Sequence, residues 1–225
     1  MPAPSDIMGE PDEDPSKTVY LVRHGATALN ADHRMRGWDD VALNAEGRQD
    51  AETLAQAMKD VPLDRVFSSD LKRAVDTMQT IVKANVGKPA IRLMDDLRTI
   101  DVGAWTGQKL SAVESHLAKL QDQWEKDPDA RAPHGESWTE FQGRQLQAWK
   151  TILAAPGTHI LVVAHLRCSV WALGYALVGM KLLAGDDLRL LGRVTQSTAR
   201  VSTLSYSKRE GLKILGVNAQ EPERG

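Results

Sequence analysis

A chain of 225 residues, 42% hydrophobic and 26% charged, has the composition of an ordinary globular protein and enough length to bury a core in one domain. Its formal net charge of -2 argues against a nucleic-acid partner held by bulk electrostatics, although a local basic pocket stays open. Cys168 is the only cysteine, so no intrachain disulfide forms and a cytoplasmic protein is the easier expectation.

Residues 1–16 carry four prolines and five acidic residues and almost nothing apolar, which predicts a disordered acidic tail ahead of a single domain over 17–225. The start lacks the basic and apolar regions of a signal peptide. The longest apolar stretch, residues 170–180, is too short to span a bilayer, so no membrane partner is expected.

The first strand is Val19-Tyr20-Leu21-Val22, an apolar run that stops abruptly at Arg23-His24-Gly25. Strands buried on both faces read this way, and ligands of open α/β sheets bind beyond the carboxyl ends of the strands. Residues 25–43 read as a polar loop, long enough to suggest a functional role. Asn44 then caps a helix with Ala51, Leu54, Ala55 and Met58 on one face. A second strand over residues 64–69 ends in Ser68 and Ser69, and Asp70 is placed to cap the following helix. Arg73 falls in that helix's first turn, where a cation opposes the macrodipole. Either it is a surface arginine at small cost, or an anionic ligand sits beside it.

Residues 90–94 predict a short strand, and the stretch from Leu97 to Gly107 is too irregular for a helix. Val113, Leu117, Leu120 and Trp124 mark an amphipathic helix. Ser137-Trp138-Thr139-Glu140 fits a capping box opening another, with Trp138, Phe141, Trp149, Ile152 and Leu153 inward. His159-Ile160-Leu161-Val162-Val163-Ala164-His165 repeats the opening pattern of an apolar strand ending in histidine. An apolar helix over 169–183 follows, then two strands near 201–206 and 212–217 joined at Glu210-Gly211, an antiparallel pair at a sheet edge. Alternating strands and helices imply a mostly parallel central sheet with helices on both faces.

Three strand ends thus carry Arg23-His24, Ser68-Ser69 with Arg73 one turn on, and His165. Side by side, they bring two histidines and two arginines to one sheet edge. Guanidinium forks pair with phosphoryl oxygens bidentately. A neutral imidazole can attack phosphorus and carry the phosphoryl group, and neighbouring arginines favour the neutral form. A second histidine, if protonated, can stabilise the equatorial oxygens. The chain has no G-x-x-x-x-G-K-[ST] loop, no G-x-G-x-x-G turn and no H-E-x-x-H, and its six histidines are scattered, so no metal or other cofactor is expected.

Leu21-Val22-Arg23-His24-Gly25-Ala26-Thr27 with Asn30, then Arg36-Gly37-Trp38-Asp39, Leu43-Asn44-Ala45-Glu46-Gly47-Arg48, Ser68-Ser69-Asp70-Leu71-Lys72-Arg73, Gly135-Glu136-Ser137 and Val163-Ala164-His165 together resemble the histidine phosphatase superfamily, phosphoglycerate-mutase-like branch. The resemblance implies a three-layer α/β/α sandwich and metal-free chemistry. It makes His24 the phosphorylated nucleophile. Arg23, Arg73 and His165 complete the phosphate pocket, Asn30 and Thr27 line it, and Arg36 and Gly37 approach substrate.

Two departures stand out. Thr99 occupies the position of the family's usual glutamate, the acid that protonates the leaving oxygen. Asp101, two residues on, projects to the same side of an extended segment and is the candidate replacement. Leu166-Arg167 replaces two glycines after the second histidine. Leu166 is expected to crowd the pocket, while Arg167 either contacts substrate or faces solvent. Trp38 and Trp105 either stack a ring or pack. The reading is therefore a metal-independent phosphomonoester hydrolase acting through phospho-His24 on a small phosphorylated metabolite, with a homodimer open. The alternatives are a non-catalytic phosphate- or phosphoprotein-binding module and a phosphoglycerate-mutase-type phosphotransferase.

Overall fold

The computed structural model describes residues 15–188 and 194–223. The acidic tail expected over residues 1–16 lies outside them, except Pro15 and Ser16 just ahead of the first strand.

The strands are β1 (Lys17–Arg23), β2 (Arg65–Ser69), β3 (Ala90–Met94), β4 (His159–Ala164), β5 (Val201–Ser207) and β6 (Gly211–Ala219). Among the described residues they form one sheet in the order β3-β2-β4-β1-β5-β6. β1–β4, β2–β4 and β2–β3 are parallel; β5 returns antiparallel to β1, and β6 closes that edge antiparallel to β5. The helices are α1 (Ala28–Ala31), α2 (Ala45–Ala57), α3 (Lys72–Ala84), α4 (Leu110–Trp124), α5 (Trp138–Ala154) and α6 (Leu166–Leu177).

Because side chains alternate across a strand, the apolar runs feed both faces of the sheet. Val19, Leu21, Phe67, Ile160 and Val162 pack under α4, α5 and α6 through Leu120, Trp124, Trp138, Phe141, Trp149 and Trp171. Tyr20, Val22, Val66, Leu161 and Val163 pack under α2 and α3 through Leu54, Met58, Ala74, Met78 and Ile81. This is the expected three-layer arrangement. Each fully buried Val, Leu or Ile contributes roughly 1.5–3 kcal/mol, so the two faces together set which residues point where.

Register decides what reaches the sheet edge. Arg23 lies opposite Ala164, and Ser68 opposite Val163, so His24, His165 and Ser69 leave the sheet at one level. The predicted adjacency of the three strand ends is realised with β4 in the centre.

Two local expectations need correction. Asp70 does not cap α3, whose N-cap is Leu71 without a side-chain bond. Asp70 instead holds Arg98 in a fork (Nε to Oδ1 2.8 Å, Nη2 to Oδ2 2.5 Å). The freed helix N–H of Lys72 finds Asp40 Oδ1 at 2.6 Å, a cap supplied from the long loop. The apolar helix α6 starts at Leu166, directly after His165, and ends at Leu177 rather than spanning 169–183. Gly179 and Met180 adopt positive φ just beyond it, a usual way to stop a helix.

Candidate active site

His24 is 2% exposed at the end of β1. Its Nδ1 lies 2.7 Å from the carbonyl oxygen of Gly25. A carbonyl only accepts, so Nδ1 carries the proton and the Nε2 lone pair of the neutral ring is free. Burial, then Arg73, then Arg23 hold the His24 pKa well below 6.5; the Gly25 bond opposes this without reversing it. His24 is therefore neutral at neutral pH.

His165 packs edge-on to His24, with ring centroids 5.1 Å apart. Its Nε2 lies 2.9 Å from Ser69 Oγ, and its buried Nδ1 has no partner among the described residues. Burial first, then Arg73, then His24 also hold its pKa well below 6.5. The sequence leaves its protonation open; the surroundings of the ring favour the neutral form in the free protein.

Both predicted arginines are buried beside the pair. Arg23 donates through Nη1 to the Gln196 carbonyl at 2.5 Å. Arg73 donates to the carbonyls of Asp39 (2.7 Å) and Gly37 (2.9 Å). Burial, then the charge of Arg36, lowers each pKa to about 10, so both remain cations at neutral pH. The Nε of each is buried and has no partner among the described residues, and each guanidinium has more N–H groups than these bonds use. Such donors suit an anionic ligand.

The loop after β1 supplies the remaining predicted residues. Thr27 and Asn30 form a capping box on α1: Thr27 Oγ1 donates to Asn30 Oδ1 at 2.9 Å, and the Thr27 N–H reaches the same oxygen at 3.1 Å. Thr27 is fully buried and serves to orient Asn30, whose NH2 has no partner among the described residues. Gly37 sits at φ +46°, and a Cβ there would lie 2.7 Å from Thr106 Oγ1 and 2.9 Å from Val102 Cγ2. Glycine is thus required where the loop passes under Val102 and offers its carbonyl to Arg73.

A cavity of about 350 Å³ adjoins this cluster through Gly37 and Leu166. Met35, Val102, Trp105, Leu117, Leu120 and Trp124 provide apolar wall; Asn30, His33, Arg34, Arg36, Thr99, Asp101, Glu136 and Arg167 provide the polar part. Leu166 forms part of this wall. Asp101 Oδ1 accepts from the Gly103 N–H at 2.9 Å, which fixes the carboxylate on its loop. Trp38 packs rather than lining the cavity: its Nε1 donates to the Thr99 carbonyl at 2.8 Å, and the Arg98 guanidinium lies 5.0 Å from its ring centroid. Trp105 lines the cavity.

Two supporting residues carry no signal in the sequence. Arg144, in the middle of α5, donates to both Glu136 oxygens (2.6 and 2.8 Å) and to the carbonyls of Asp96, Arg98 and Thr99. It ties the segment bearing Thr99 and Asp101 to the helix layer. Gln196 donates to the Leu21 and Arg200 carbonyls while its own carbonyl receives Arg23. Among the described residues, no group of three or more His, Cys, Asp or Glu side chains is arranged to hold a metal ion.

A buried pair of neutral imidazoles flanked by arginines, at the carboxyl edge of a mixed α/β sheet, has the layout of a phosphoryl-transfer site. The model of the histidine phosphatase superfamily (branch 1) matches residues 19–219, and the chain belongs to that superfamily. Over 178 residues it is 32% identical to a protein named probable phosphoglycerate mutase GpmB from Erwinia tasmaniensis, covering 76% of this chain and 80% of that one. It is also 32% identical over 202 residues to 2-carboxy-D-arabinitol-1-phosphatase from Triticum aestivum, covering 87% of this chain and 38% of the wheat protein. Mycobacterial glucosyl-3-phosphoglycerate phosphatase superposes with a TM-score of 0.73 at 21% identity, over 91% of this chain and 100% of that one, which shows a common fold.

Proposed function

We propose that the protein is a phosphomonoester hydrolase that works through a phosphohistidine at His24 and uses no metal ion. The observation that carries the reading is the Nδ1 bond to Gly25, which leaves the Nε2 lone pair of a neutral ring beside two buried arginines.

In the first step His24 Nε2 attacks phosphorus and the P–O ester bond breaks. Arg23, Arg73, the Asn30 NH2 and His165 hydrogen-bond the oxygens on which charge spreads. The dianion raises the proton affinity of His165, which then donates to it. The leaving oxygen takes its proton from Asp101. Of the two carboxylates lining the cavity, Glu136 is held in the Arg144 fork, whereas Asp101 Oδ2 has no partner among the described residues. In the second step water gives its proton to Asp101 and attacks phosphorus, the P–N bond breaks, and phosphate leaves. Arg36 and Gly37 border the substrate side.

The wheat and mycobacterial relatives are named as phosphatases and the Erwinia relative as a mutase; a small phosphorylated metabolite suits the cavity. No described helix is long and apolar enough to cross a membrane, and we place the protein in the cytoplasm. Thr99 favours a second reading, a phosphate- or phosphoprotein-binding module without turnover, because threonine supplies no acid.

Steady-state phosphate release from phenyl phosphate and from an alkyl phosphate, with chelator present, separates these readings. Wild type should hydrolyse both. His24→Ala should abolish release, and Asp101→Asn should slow the alkyl ester by about 10²–10⁴ and the phenyl ester far less. Phosphate binding without release above the His24→Ala background would establish the binding module. Transfer to an added acceptor in place of release would establish a mutase.

A further inference from the structure

Two helices begin at the active edge of the sheet, and both carry arginine as their second residue: Arg73 in α3 and Arg167 in α6. A cation there opposes the positive end of the helix macrodipole. For Arg73 the proposed phosphate pocket resolves the conflict, since its charge acts on both histidines of the pair and the carbonyls of Gly37 and Asp39 hold its guanidinium. Arg167 has no such resolution among the described residues. It makes no hydrogen bond or ion pair with the described residues, and burial lowers its pKa from the usual guanidinium value. It lines the cavity beyond Leu166, on the side that the non-phosphate part of a substrate would fill.

The surrounding acids do not neutralise it. Glu136 is committed to Arg144, and Asp101 is anchored to Gly103, with no ion pair to Arg167. Arg34 and Arg36 add positive charge to the same cavity, so its polar part carries an excess of cations.

We propose that Arg167 binds a second acidic group of the substrate, a carboxylate or a further phosphate, held apart from the reacting phosphoryl group by a body that packs on the apolar wall of Val102, Trp105, Leu117 and Trp124. This deepens the phosphatase reading and rests on it for the word substrate. The binding claim stands on separate observations and is tested without turnover.

Calorimetric titration with three non-hydrolysable probes reads it directly: phenylphosphonate, 4-carboxyphenylphosphonate and 1,4-phenylenebisphosphonate. Wild type should bind one or both diacids about tenfold to a hundredfold more tightly than phenylphosphonate, the range of a charge-assisted hydrogen bond. Which diacid gains more distinguishes carboxylate from phosphate. Arg167→Gln should reduce that ratio to near unity, and Arg167→Lys should restore part of it. A ratio near unity in wild type, or one unchanged by Arg167→Gln, overturns the proposal. Loss of phenyl phosphate hydrolysis with an intact binding ratio would instead overturn only the hydrolase reading.

Discussion

At the residue scale, the site depends on keeping two buried imidazoles neutral among cations. His24 and His165 each have a folded-state pKa pushed well below 6.5, by burial first and by Arg73 next. In the unfolded chain both rings take up a proton near 6.5. The unfolded state therefore binds more protons as pH falls through that value, and the fold loses stability on the acid side. Above 6.5 the rings are neutral in both states and cost nothing in this respect. Nitrogen-detected NMR titration of the free protein should find both rings still neutral at pH 6.5, with the His24 proton on Nδ1. A His24 ring protonated at 6.5, or carrying its proton on Nε2, would contradict the proposed nucleophile.

Much at this scale is legible in the sequence. Arg23, His24, Arg73 and His165 stand at abrupt ends of apolar runs or in the first turn of a helix, and it is the recurrence of the pattern at three strand ends, not any one of them, that points to a site. Thr27 is only half legible: its motif places it in the pocket, but its hydroxyl is given to Asn30. Asp70 was misread because a local cap looks the same in sequence whether or not a distant arginine claims the carboxylate. Arg98 lies 28 residues away, and nothing in the spacing announces the fork.

At the element scale, the segment of residues 95–107 is the least regular part of the site and the most dependent on borrowed bonds. Two short 3-10 turns, Asp95–Leu97 and Gly103–Trp105, bracket Thr99 and Asp101. Arg144 ties the segment down through carbonyls at Asp96, Arg98 and Thr99, and Glu136 neutralises Arg144 with side-chain exposures of 15% and 10% for the pair. Arg144→Met should cost about 1–3 kcal/mol, since it leaves the Glu136 carboxylate and three carbonyls without their donor. Chemical denaturation measures that loss. If the proposed hydrolase reading holds, the same variant should lower kcat more than it raises KM, because the proposed acid Asp101 loses its fixed place while Arg23, Arg73 and the histidine pair remain. Unchanged stability would show that the fork is not needed. The sequence could not disclose Arg144: it sits in mid-helix, one polar residue among several, and its role depends on a segment more than forty residues earlier. The apolar helix boundaries were misplaced for a simpler reason. Hydrophobicity continues to Leu183, but backbone turned at Gly179 and Met180 ends α6 before it.

At the scale of the whole molecule, a short apolar strand is a weak signal alone, and the strength comes from repetition. Two strands ending in histidine and one ending in serines, separated by amphipathic helices, admit few arrangements once parallel pairing is required. The observed order sets β4 between β2 and β1, with the two apolar faces shared between α2–α3 and α4–α6. The cavity was less accessible to reading. Its wall draws on α4, the 95–107 segment, the loop after β1 and the start of α6, and only packing joins them. Sequence identified many of these residues singly, yet not that Leu166 and Arg167 face Trp105 and Trp124 across one space.

Three strand ends bring His24 beside His165 and two arginines, and the proposed function rests on His24 acting as the nucleophile. The most direct measurement is to mix the protein with phenyl phosphate, quench within a turnover, and map the phosphoryl group by mass spectrometry under mildly alkaline conditions. The account predicts an acid-labile phosphoryl group on the His24 ring, absent from His24→Ala. Phosphate release that continues in His24→Ala, or a phosphoryl group carried by another residue, would contradict it.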